Sequence, residues 1–248
     1  MKTSNKVLLI IIIAIFTAVI IATAMVRFNL KPTISFNASM VLRGQPQVTG
    51  NGKIVAKSYE LPNFDTITVS GNNKVIIKFG DKSQVGITAD SNVISYVRVS
   101  VADKNLYVKT APNITINPSQ PINLIITMKA LHGINTGGVS EIHVANINSK
   151  FLTVNLGGVS KCYLSGKVGN LSINSGGVSK IFASKLMADN VAIHAAGVSR
   201  FLLHVNNKLN VTMAGDGRVE YSGNPSQVIQ HISGAGEIKH TTAIVAAK

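Results

Sequence analysis

The sequence has no tryptophan, a single cysteine and few acidic residues. Against 24 Lys and Arg it has only 10 Asp and Glu, so the formal net charge of the 248 residues is +14 at pH 7. One cysteine excludes an intramolecular disulfide framework. We interpret Cys162 as a small buried apolar group, with an intermolecular bridge as the alternative. No HExxH pattern and no cysteine pair accompanies the histidines, so neither a metal site nor another cofactor is expected.

The excess of positive charge predicts attraction to anionic surfaces. Anionic lipids, acidic polysaccharides and nucleic acids are the partners that such a charge attracts, and a solvated surface without a ligand is the alternative. Aromatic residues make up only 5% of the chain and form no basic-aromatic platform for bases. Because export is also predicted below, no nucleic-acid partner is expected.

One long hydrophobic run, VLLIIIIAIFTAVIIATAMV, occupies residues 7–26 and has no charge. At about 1.5 Å per residue a helix of this length spans roughly 30 Å, the thickness of a hydrocarbon core. We interpret the run as an uncleaved transmembrane signal anchor. A cleaved signal peptide, with Ala22-Thr23-Ala24 as its cleavage site, is the alternative. Either interpretation places the following residues outside the cytoplasm, in the periplasm or at the cell surface.

A four-residue corner pattern recurs six times in the second half of the chain. It reads GGVS at 137–140, 157–160 and 176–179, AGVS at 196–199, GDGR at 215–218 and GAGE at 234–237. The serine, or the glycine that replaces it, stands at positions 140, 160, 179, 199, 217 and 236, in steps of 20, 19, 20, 18 and 19. Short runs with period-two alternation flank each corner. A repeat of about 19 residues with this alternation is typical of stacked coils of short β-strands.

Two columns of mostly apolar residues follow the corners, two and four positions after the serine. The first column contains Ile142, Cys162, Ile181, Phe201, Val219 and Ile238, and the second contains Val144, Leu164, Ala183, Leu203, Tyr221 and His240. Stacked coils place equivalent side chains about 4.8 Å apart. We therefore expect both columns to lie in the interior of an all-β fold.

The corner residues favour a structural role. They are Gly138, Ser140, Gly158, Ser160, Gly177, Ser179, Gly197, Ser199, Gly217 and Gly236. Glycine adopts positive φ without steric cost and leaves room for the neighbouring coil. A phosphate cradle needs a helix N-terminus after the glycines, whereas strands are expected here. The serines are expected to bond corner backbone groups, since no catalytic base recurs with them.

One column of mostly basic residues follows the serine directly. It contains Lys161, Lys180, Arg200 and Arg218, with Glu141 and Glu237 at its two ends. Four cations at strand spacing repel one another modestly, because surface charges are screened. An anionic ligand would relieve this repulsion. The basic column is therefore the candidate ligand-binding site, with a solvated face as the alternative.

The first half carries alternating runs with irregular spacing, which we expect to form the first coils of the same stack and to cap its end. Three stretches, 50–55, 61–67 and 75–81, together with the Gly-Gly-Val-Ser corners, resemble the head GIN domain family. The resemblance covers roughly residues 48–240. It implies a right-handed β-helix-like fold in secreted or envelope-bound bacterial proteins described as autotransporter adhesins. It supplies no catalytic residues.

These patterns together predict five segments. They are a cytoplasmic tail at 1–6, a transmembrane anchor at 7–26, a stalk at 27–58, a right-handed parallel β-solenoid at 59–240 and a C-terminal tail at 241–248. The expected function is that of a non-enzymatic binding or structural module of the bacterial envelope, adhesin-like in character. Its expected partners are the membrane through 7–26 and an anionic polysaccharide, lipid headgroups or an envelope protein.

A polysaccharide-cleaving enzyme is the alternative function, because β-helices also carry such activities. Hydrolysis of a glycosidic bond typically uses two carboxylates across one cleft. Of the ten acidic residues, only Asp216 and Glu220 stand close together in sequence where a strand could place them on one face. A second alternative is an anionic lipid or nucleic-acid binder that acts through its basic surface alone.

Overall fold

The computed structural model describes residues 46–242, which form β-strands and no α-helix. The predicted all-β class is therefore confirmed. The predicted tail at 1–6 and anchor at 7–26 lie outside the described residues, as does most of the predicted C-terminal tail. Within 46–242, no helix has the length and apolar character needed to cross a membrane.

Twelve strands lie within the described residues. They are β1 (Gln47–Thr49), β2 (Ile54–Glu60), β3 (Thr66–Phe79), β4 (Gln84–Asp90), β5 (Val97–Ala102), β6 (Asn105–Thr110), β7 (Thr115–Asn117), β8 (Ile122–Met128), β9 (Gly133–Leu156), β10 (Val159–Ser222), β11 (Gln227–Ser233) and β12 (Gly236–His240). A 3₁₀ turn, Ile94–Tyr96, precedes β5. Strand β10 is 64 residues long because its pairing continues through several corners.

The strands of the second half pair in parallel, with offsets close to the spacing of the corners. Cys162 aligns with Ile142 where β10 pairs with β9, an offset of 20 residues. Val219 aligns with Ile238 where β10 pairs with β12, an offset of 19 residues. Strand β9 pairs in parallel with β3 in turn. Equivalent positions of successive corners are therefore brought side by side.

This alignment places the predicted apolar columns in the core. In the first column, five members have an exposed fraction of 0%, namely Ile142, Cys162, Ile181, Phe201 and Val219. The second column is buried from Val144 to Leu203, whereas its last two members, Tyr221 and His240, are partly or fully exposed. Burial raises the pKa of the Cys162 thiol to about 12, so the thiol is neutral and unreactive at physiological pH.

The first half contains antiparallel pairs, which differ from the further coils that the sequence suggested. Strand β2 pairs with β4, β4 with β8, and β5 with β6, all antiparallel. Strands β6 and β8 nevertheless pair in parallel with β3. Between β5 and β6 only Asp103 and Lys104 intervene, with φ of 50° and 58°. Two residues of positive φ make a hairpin turn, which forces the flanking strands to run antiparallel.

The folded part begins before the predicted stalk boundary at residue 58. Strand β2 is the edge strand of the sheet and pairs with β4, and β1 pairs with β7. The buried Asp90 carboxylate holds this region together, since it accepts hydrogen bonds from the Gly52 amide at 2.7 Å and the Ser119 hydroxyl at 2.6 Å. The Ser119 hydroxyl bond is the main reason why the pKa of Asp90 is lowered from its usual value. A Cβ on Gly50 would collide with this carboxylate, which explains the glycine there.

Four predicted corner glycines take the left-handed conformation, with φ of 90° at Gly138, 75° at Gly158, 96° at Gly177 and 100° at Gly197. The coils also approach each other closely at these points. A Cβ on Gly177 would lie 2.5 Å from the carbonyl oxygen of Gly158. The corners therefore need glycine both for its conformation and for its lack of a side chain.

The last two corners bend at the equivalent glycine, two positions before the residue that stands in place of the serine. The positive φ falls on Gly215 (123°) and Gly234 (121°) rather than on Gly217 and Gly236. Gly217 and Gly236 occupy the positions that serines hold in the other corners. A Cβ on Gly217 would lie 2.6 Å from the Met213 sulfur. The large Met213 side chain therefore takes the space that a serine would need.

The four corner serines are buried, with exposed fractions between 1% and 4%. Ser160 Oγ donates to the Gly157 carbonyl at 3.3 Å, as expected, but it also lies 3.1 Å from Thr136 Oγ1 in the preceding coil. Ser199 likewise lies 3.0 Å from Ser175 Oγ. The buried hydroxyl of Ser179 has no partner among the described residues.

The preceding coil explains why Ser160 and Ser199 have a hydroxyl partner and Ser179 has none. The deciding residue stands four positions before the serine of the preceding corner. It is Thr136 for Ser160 and Ser175 for Ser199, and each supplies a hydroxyl. For Ser179 the equivalent residue is Leu156, which is apolar. Serine pairing is thus set by the neighbouring coil rather than by the corner itself.

Alanine substitutions should separate the two kinds of serine. We expect Ser199→Ala to destabilise the protein by about 1–2 kcal/mol, because it leaves the buried Ser175 hydroxyl unpaired. Ser179→Ala removes a hydroxyl that has no partner, so it should be neutral or stabilising. The measurement is the free energy of unfolding of each full-length variant in urea. Equal losses would contradict the pairing.

Candidate functional site: an outward face of valine, cation and ring columns

The strands that follow the corners present one regular face to solvent. Exposed and buried residues alternate through 159–164 and 178–183, so every second side chain points outward. In 198–203 the outward Leu202 is itself covered. The outward side chains of these three segments are Val159, Lys161, Tyr163, Val178, Lys180, Phe182, Val198, Arg200 and Leu202. These nine residues are called the outward face below.

The structure divides the predicted basic column into paired and unpaired cations. Arg200 Nη2 donates to Glu220 Oε1 at 2.9 Å. Arg218 Nη2 lies 2.9 Å from Glu237 Oε2. Within residues 46–242, Lys161 and Lys180 form no ion pair, and both are exposed. The uncompensated positive charge of the column is therefore concentrated at these two lysines.

Glu141 closes the column at its other end. It aligns with Lys161, lies 2.7 Å from His143 Nε2 and lies 3.7 Å from Lys74 Nζ. The hydrogen bond with His143 is the main reason why the pKa of Glu141 is lowered, and the charges of Lys74 and Lys161 lower it further. Glu141 is therefore ionised at neutral pH. It offsets part of the repulsion expected for stacked cations, as Glu220 and Glu237 do at the far end.

A column of stacked rings lies beside the cations. The ring centroids of His143 and Tyr163 are 4.5 Å apart with an interplanar angle of 9°, and those of Tyr163 and Phe182 are 4.7 Å apart at the same angle. Ile76, which aligns with His143, continues the column. Because each ring covers the face of its neighbour, the column presents mainly ring edges to solvent. The sequence analysis assigned these residues no role, although all three stand three positions after the serine marker.

The corner valines form a third column, which the sequence analysis also missed because it treated them as part of the turn. Val139, Val159, Val178 and Val198 have exposed fractions of 52%, 50%, 43% and 54%. Burial in the core does not explain these valines. Contiguous exposed apolar side chains beside charged ones are typical of an interaction surface.

A groove of about 450 Å³ follows a ladder of stacked asparagines that precede the corners. The Asn155 amide donates to Asn135 Oδ1 at 2.7 Å, and the Asn174 amide donates to Asn155 Oδ1 at 2.7 Å. These amides bond one another from coil to coil, as stacked asparagines do in other parallel sheets. The ladder therefore stabilises the stacking, and the outward face is the better candidate for binding.

The His, Cys, Asp and Glu side chains of the described residues bear on the metal and enzyme alternatives. Residues 46–242 contain no group of three or more His, Cys, Asp or Glu that could hold a metal ion. Of the two acids considered for glycoside hydrolysis, Glu220 is engaged by Arg200, whereas Asp216 is exposed at a corner. No observation therefore favours the enzyme alternative.

Several solved structures share the fold. A "putative adhesin" from Bacteroides fragilis is 18% identical, with a TM-score of 0.62, and the match covers 78% of this chain and 100% of that one. A "putative lipid binding protein" from Parabacteroides distasonis is 18% identical, with a TM-score of 0.54 over 79% of this chain and 100% of that one. A "putative adhesin" from Parabacteroides merdae is 20% identical, with a TM-score of 0.53 and the same coverages, 79% and 100%.

Sequence comparison gives the family. A search of curated proteins finds no match. A protein-family model with the description "Putative auto-transporter adhesin, head GIN domain" matches residues 63–225, which is more than half of the chain. The resemblance inferred from the sequence is thus confirmed. The chain belongs to the head GIN domain family of adhesin-like proteins.

Proposed function

We propose that the chain is a membrane-anchored, extracytoplasmic and adhesin-like binding module of the bacterial envelope, without catalytic activity. Its outward face binds an anionic partner. The observation that carries this proposal is the pair Lys161 and Lys180, which are exposed, stand in successive coils and form no ion pair among residues 46–242. Membership of an adhesin-like family agrees with a binding role.

The proposed architecture is a right-handed β-solenoid. Two observations support it: the parallel offsets of 20 and 19 residues, and the stacking of each left-handed corner glycine on the one before it. The antiparallel strands β2, β4 and β5 then cap its N-terminal end. Such a cap covers a sheet edge that would otherwise pair with other chains.

The proposed anchor is the uncharged run at 7–26, with the tail at 1–6 in the cytoplasm. An adhesin-like family agrees with an extracytoplasmic location, in the periplasm or at the cell surface. Residues 27–45 would then act as the linker between the membrane and the first strand. The C-terminal tail at 241–248 has no assigned role.

The proposed partner carries several negative charges along a line or over a surface. Equivalent residues of neighbouring strands stand about 4.8 Å apart, so two lysines meet closely spaced carboxylates or phosphates. Acidic polysaccharides and anionic lipid headgroups share this chemistry. The solved structure from Parabacteroides distasonis described as a putative lipid binding protein favours the second source, whereas the adhesin description leaves both open.

Binding of the full-length protein in phosphatidylcholine nanodiscs tests this proposal. The two probes are polygalacturonate and phosphatidylglycerol vesicles, each measured over a salt series. With about 1 kcal/mol per lysine near an anionic surface, the double variant K161Q/K180Q should bind roughly 30-fold more weakly at low salt.

The matched control is K150Q/K167Q, which removes two exposed lysines elsewhere on the chain. This variant should bind within about threefold of the parent, because screened charges act over a Debye length of about 10 Å. Equal losses in the two double variants would show that only net charge matters. Unchanged binding by K161Q/K180Q would refute the proposed site.

A further inference from the structure

A groove of about 440 Å³ runs beside the ring column. The groove forms where large side chains stand next to small ones. The large side chains are the rings of His143, Tyr163 and Phe182, and the residue two positions after each ring is small. These small residues are Ala145, Ser165 and Ser184. The volume lies within the range of about 300–1,000 Å³ that is usual for small-molecule sites.

The lining of the groove is apolar with positive charge at its border. Ring edges and Ile76 supply the apolar surface, and Lys78 and Lys185 are its charged members. No Asp or Glu lines the groove. Lys78 and Lys185 are both exposed and form no ion pair among the described residues. The groove therefore suits a ligand that is apolar along its length and negatively charged at an end.

The stacking of the rings argues against a sugar in this groove. A sugar packs against the open face of an aromatic ring, whereas Tyr163 is covered on both faces by His143 and Phe182 at 4.5 and 4.7 Å. The exposed ring edges are apolar carbon atoms, which pack well against a hydrocarbon chain. The cation pair Lys161 and Lys180 lies on the opposite side of the ring column from the small residues.

We propose that this groove binds a monomeric anionic amphiphile, such as a fatty acid. The hydrocarbon chain lies along the edges of Tyr163 and Phe182, and the acid group is held by the lysine at one end of the groove, either Lys78 or Lys185. This site is separate from the cation pair of the outward face, and binding here does not require an extended polyanion. It gives the protein a second ligand class, distinct from the one proposed for Lys161 and Lys180.

The absence of tryptophan makes a direct test simple. In the variant Phe182→Trp, the full-length protein has one tryptophan at the groove. Titration with 9,10-dibromostearate below its aggregation concentration, in phosphatidylcholine nanodiscs, should quench this tryptophan saturably. The control Phe151→Trp places the fluorophore at a phenylalanine that is 50% exposed and outside the groove lining, and it should not be quenched.

Three further variants locate the site. Ser165→Leu fills the groove and should weaken binding of dibromostearate at least tenfold, whereas Ser172→Leu, outside the groove lining, should not change it. K78Q/K185Q should also weaken binding at least tenfold, and so should replacement of the probe by its neutral methyl ester. K161Q/K180Q should leave quenching unchanged, so failure of the groove and failure of the cation pair give different results.

Absence of quenching in Phe182→Trp would overturn the proposal. If this variant does not fold, Ile76→Trp places the single tryptophan at the other end of the ring column and gives the same test. Equal quenching in Phe151→Trp would mean partition of the probe into the nanodisc, and would also overturn it. Quenching by vesicles of brominated phosphatidylglycerol, but not by free dibromostearate, would also overturn the proposal. It would mean that this face docks on a bilayer and does not bind a monomeric ligand in the groove.

Discussion

Replacing Gly177 with alanine should destabilise the protein by more than about 3 kcal/mol, whereas the same change at the adjacent Gly176 should be tolerated. Gly177 has φ of 96°, and a Cβ there would lie 2.5 Å from the carbonyl oxygen of Gly158 in the coil below. A Cβ on Gly176 would have no atom within 4 Å. Both substitutions add one methyl group, at neighbouring residues, so their difference measures the combined cost of the left-handed conformation and the close approach at Gly177.

Cys162 provides the readout for this comparison. It is the single cysteine of the chain, and its thiol is fully buried, so it reacts with a thiol reagent only when the coil opens. A loss of 3 kcal/mol should lower the temperature at which Cys162 becomes reactive by roughly 6–12 °C. If Gly176→Ala lowered this temperature as much as Gly177→Ala, the close stacking at the corners would be wrong.

Phe201→Ala should destabilise the protein by about 3–5 kcal/mol, the usual cost of removing a buried ring. Phe201 is fully buried in the column that also contains Ile181 and Val219, so its removal leaves a cavity between neighbouring coils. The matched control is Phe151→Ala. Phe151 is 50% exposed and stacks on His132, with ring centroids 4.5 Å apart. Its removal should cost less than about 1.5 kcal/mol.

Urea unfolding of both full-length variants, with Cys162 reactivity as the signal, measures these costs. A difference of less than about 1 kcal/mol between the two losses of unfolding free energy would contradict the burial of Phe201. Removing a buried ring costs more than that compared with removing an exposed one. The comparison uses the same side chain and the same replacement. It therefore tests the inward direction of the column that begins two positions after the corner serine.

The periodic part of the fold could be predicted because the corner motif of each repeat fixes its alignment with the next repeat. Six corners at 18–20 residue spacing, with alternating apolar residues after them, place Ile142 beside Cys162 before any coordinate is known. The first half lacks such a marker. Its runs predict strands but not their partners, and the direction of β5 and β6 depends on a two-residue turn at Asp103 and Lys104. Propensity alone does not reveal that these residues adopt positive φ.

The corner chemistry was only partly predictable, because it depends on contacts between coils. Ser160 and Ser179 stand in the same corner motif, yet only Ser160 faces a hydroxyl, from Thr136. The absence of a serine at position 217 likewise depends on Met213, whose sulfur would lie 2.6 Å from a Cβ there. Each of these outcomes requires knowing which residue of the preceding coil lies opposite.

The sequence analysis predicted one outward column as the candidate site, whereas the structure places three columns side by side on the outward face. The spacing of the corners predicted the basic column. It did not predict that Arg200 is neutralised by Glu220, because Glu220 stands 20 residues later in the sequence and contacts Arg200 from the neighbouring coil. The rings of Tyr163 and Phe182 stand at a fixed distance after the serine and could have been found from the same alignment. The sequence analysis assigned these rings no role because it used the alternation only to identify the inward positions on either side of them.

The most direct test of the binding face is a lysine footprint of the full-length protein. Acetylation rates of individual lysines are measured by mass spectrometry in nanodiscs, with and without a saturating anionic probe, either polygalacturonate or phosphatidylglycerol. The account predicts that Lys161 and Lys180 become at least several-fold slower, while Lys150 and Lys167 keep their rates. Protection of Lys150 and Lys167 instead, or uniform protection of all exposed lysines, would contradict it.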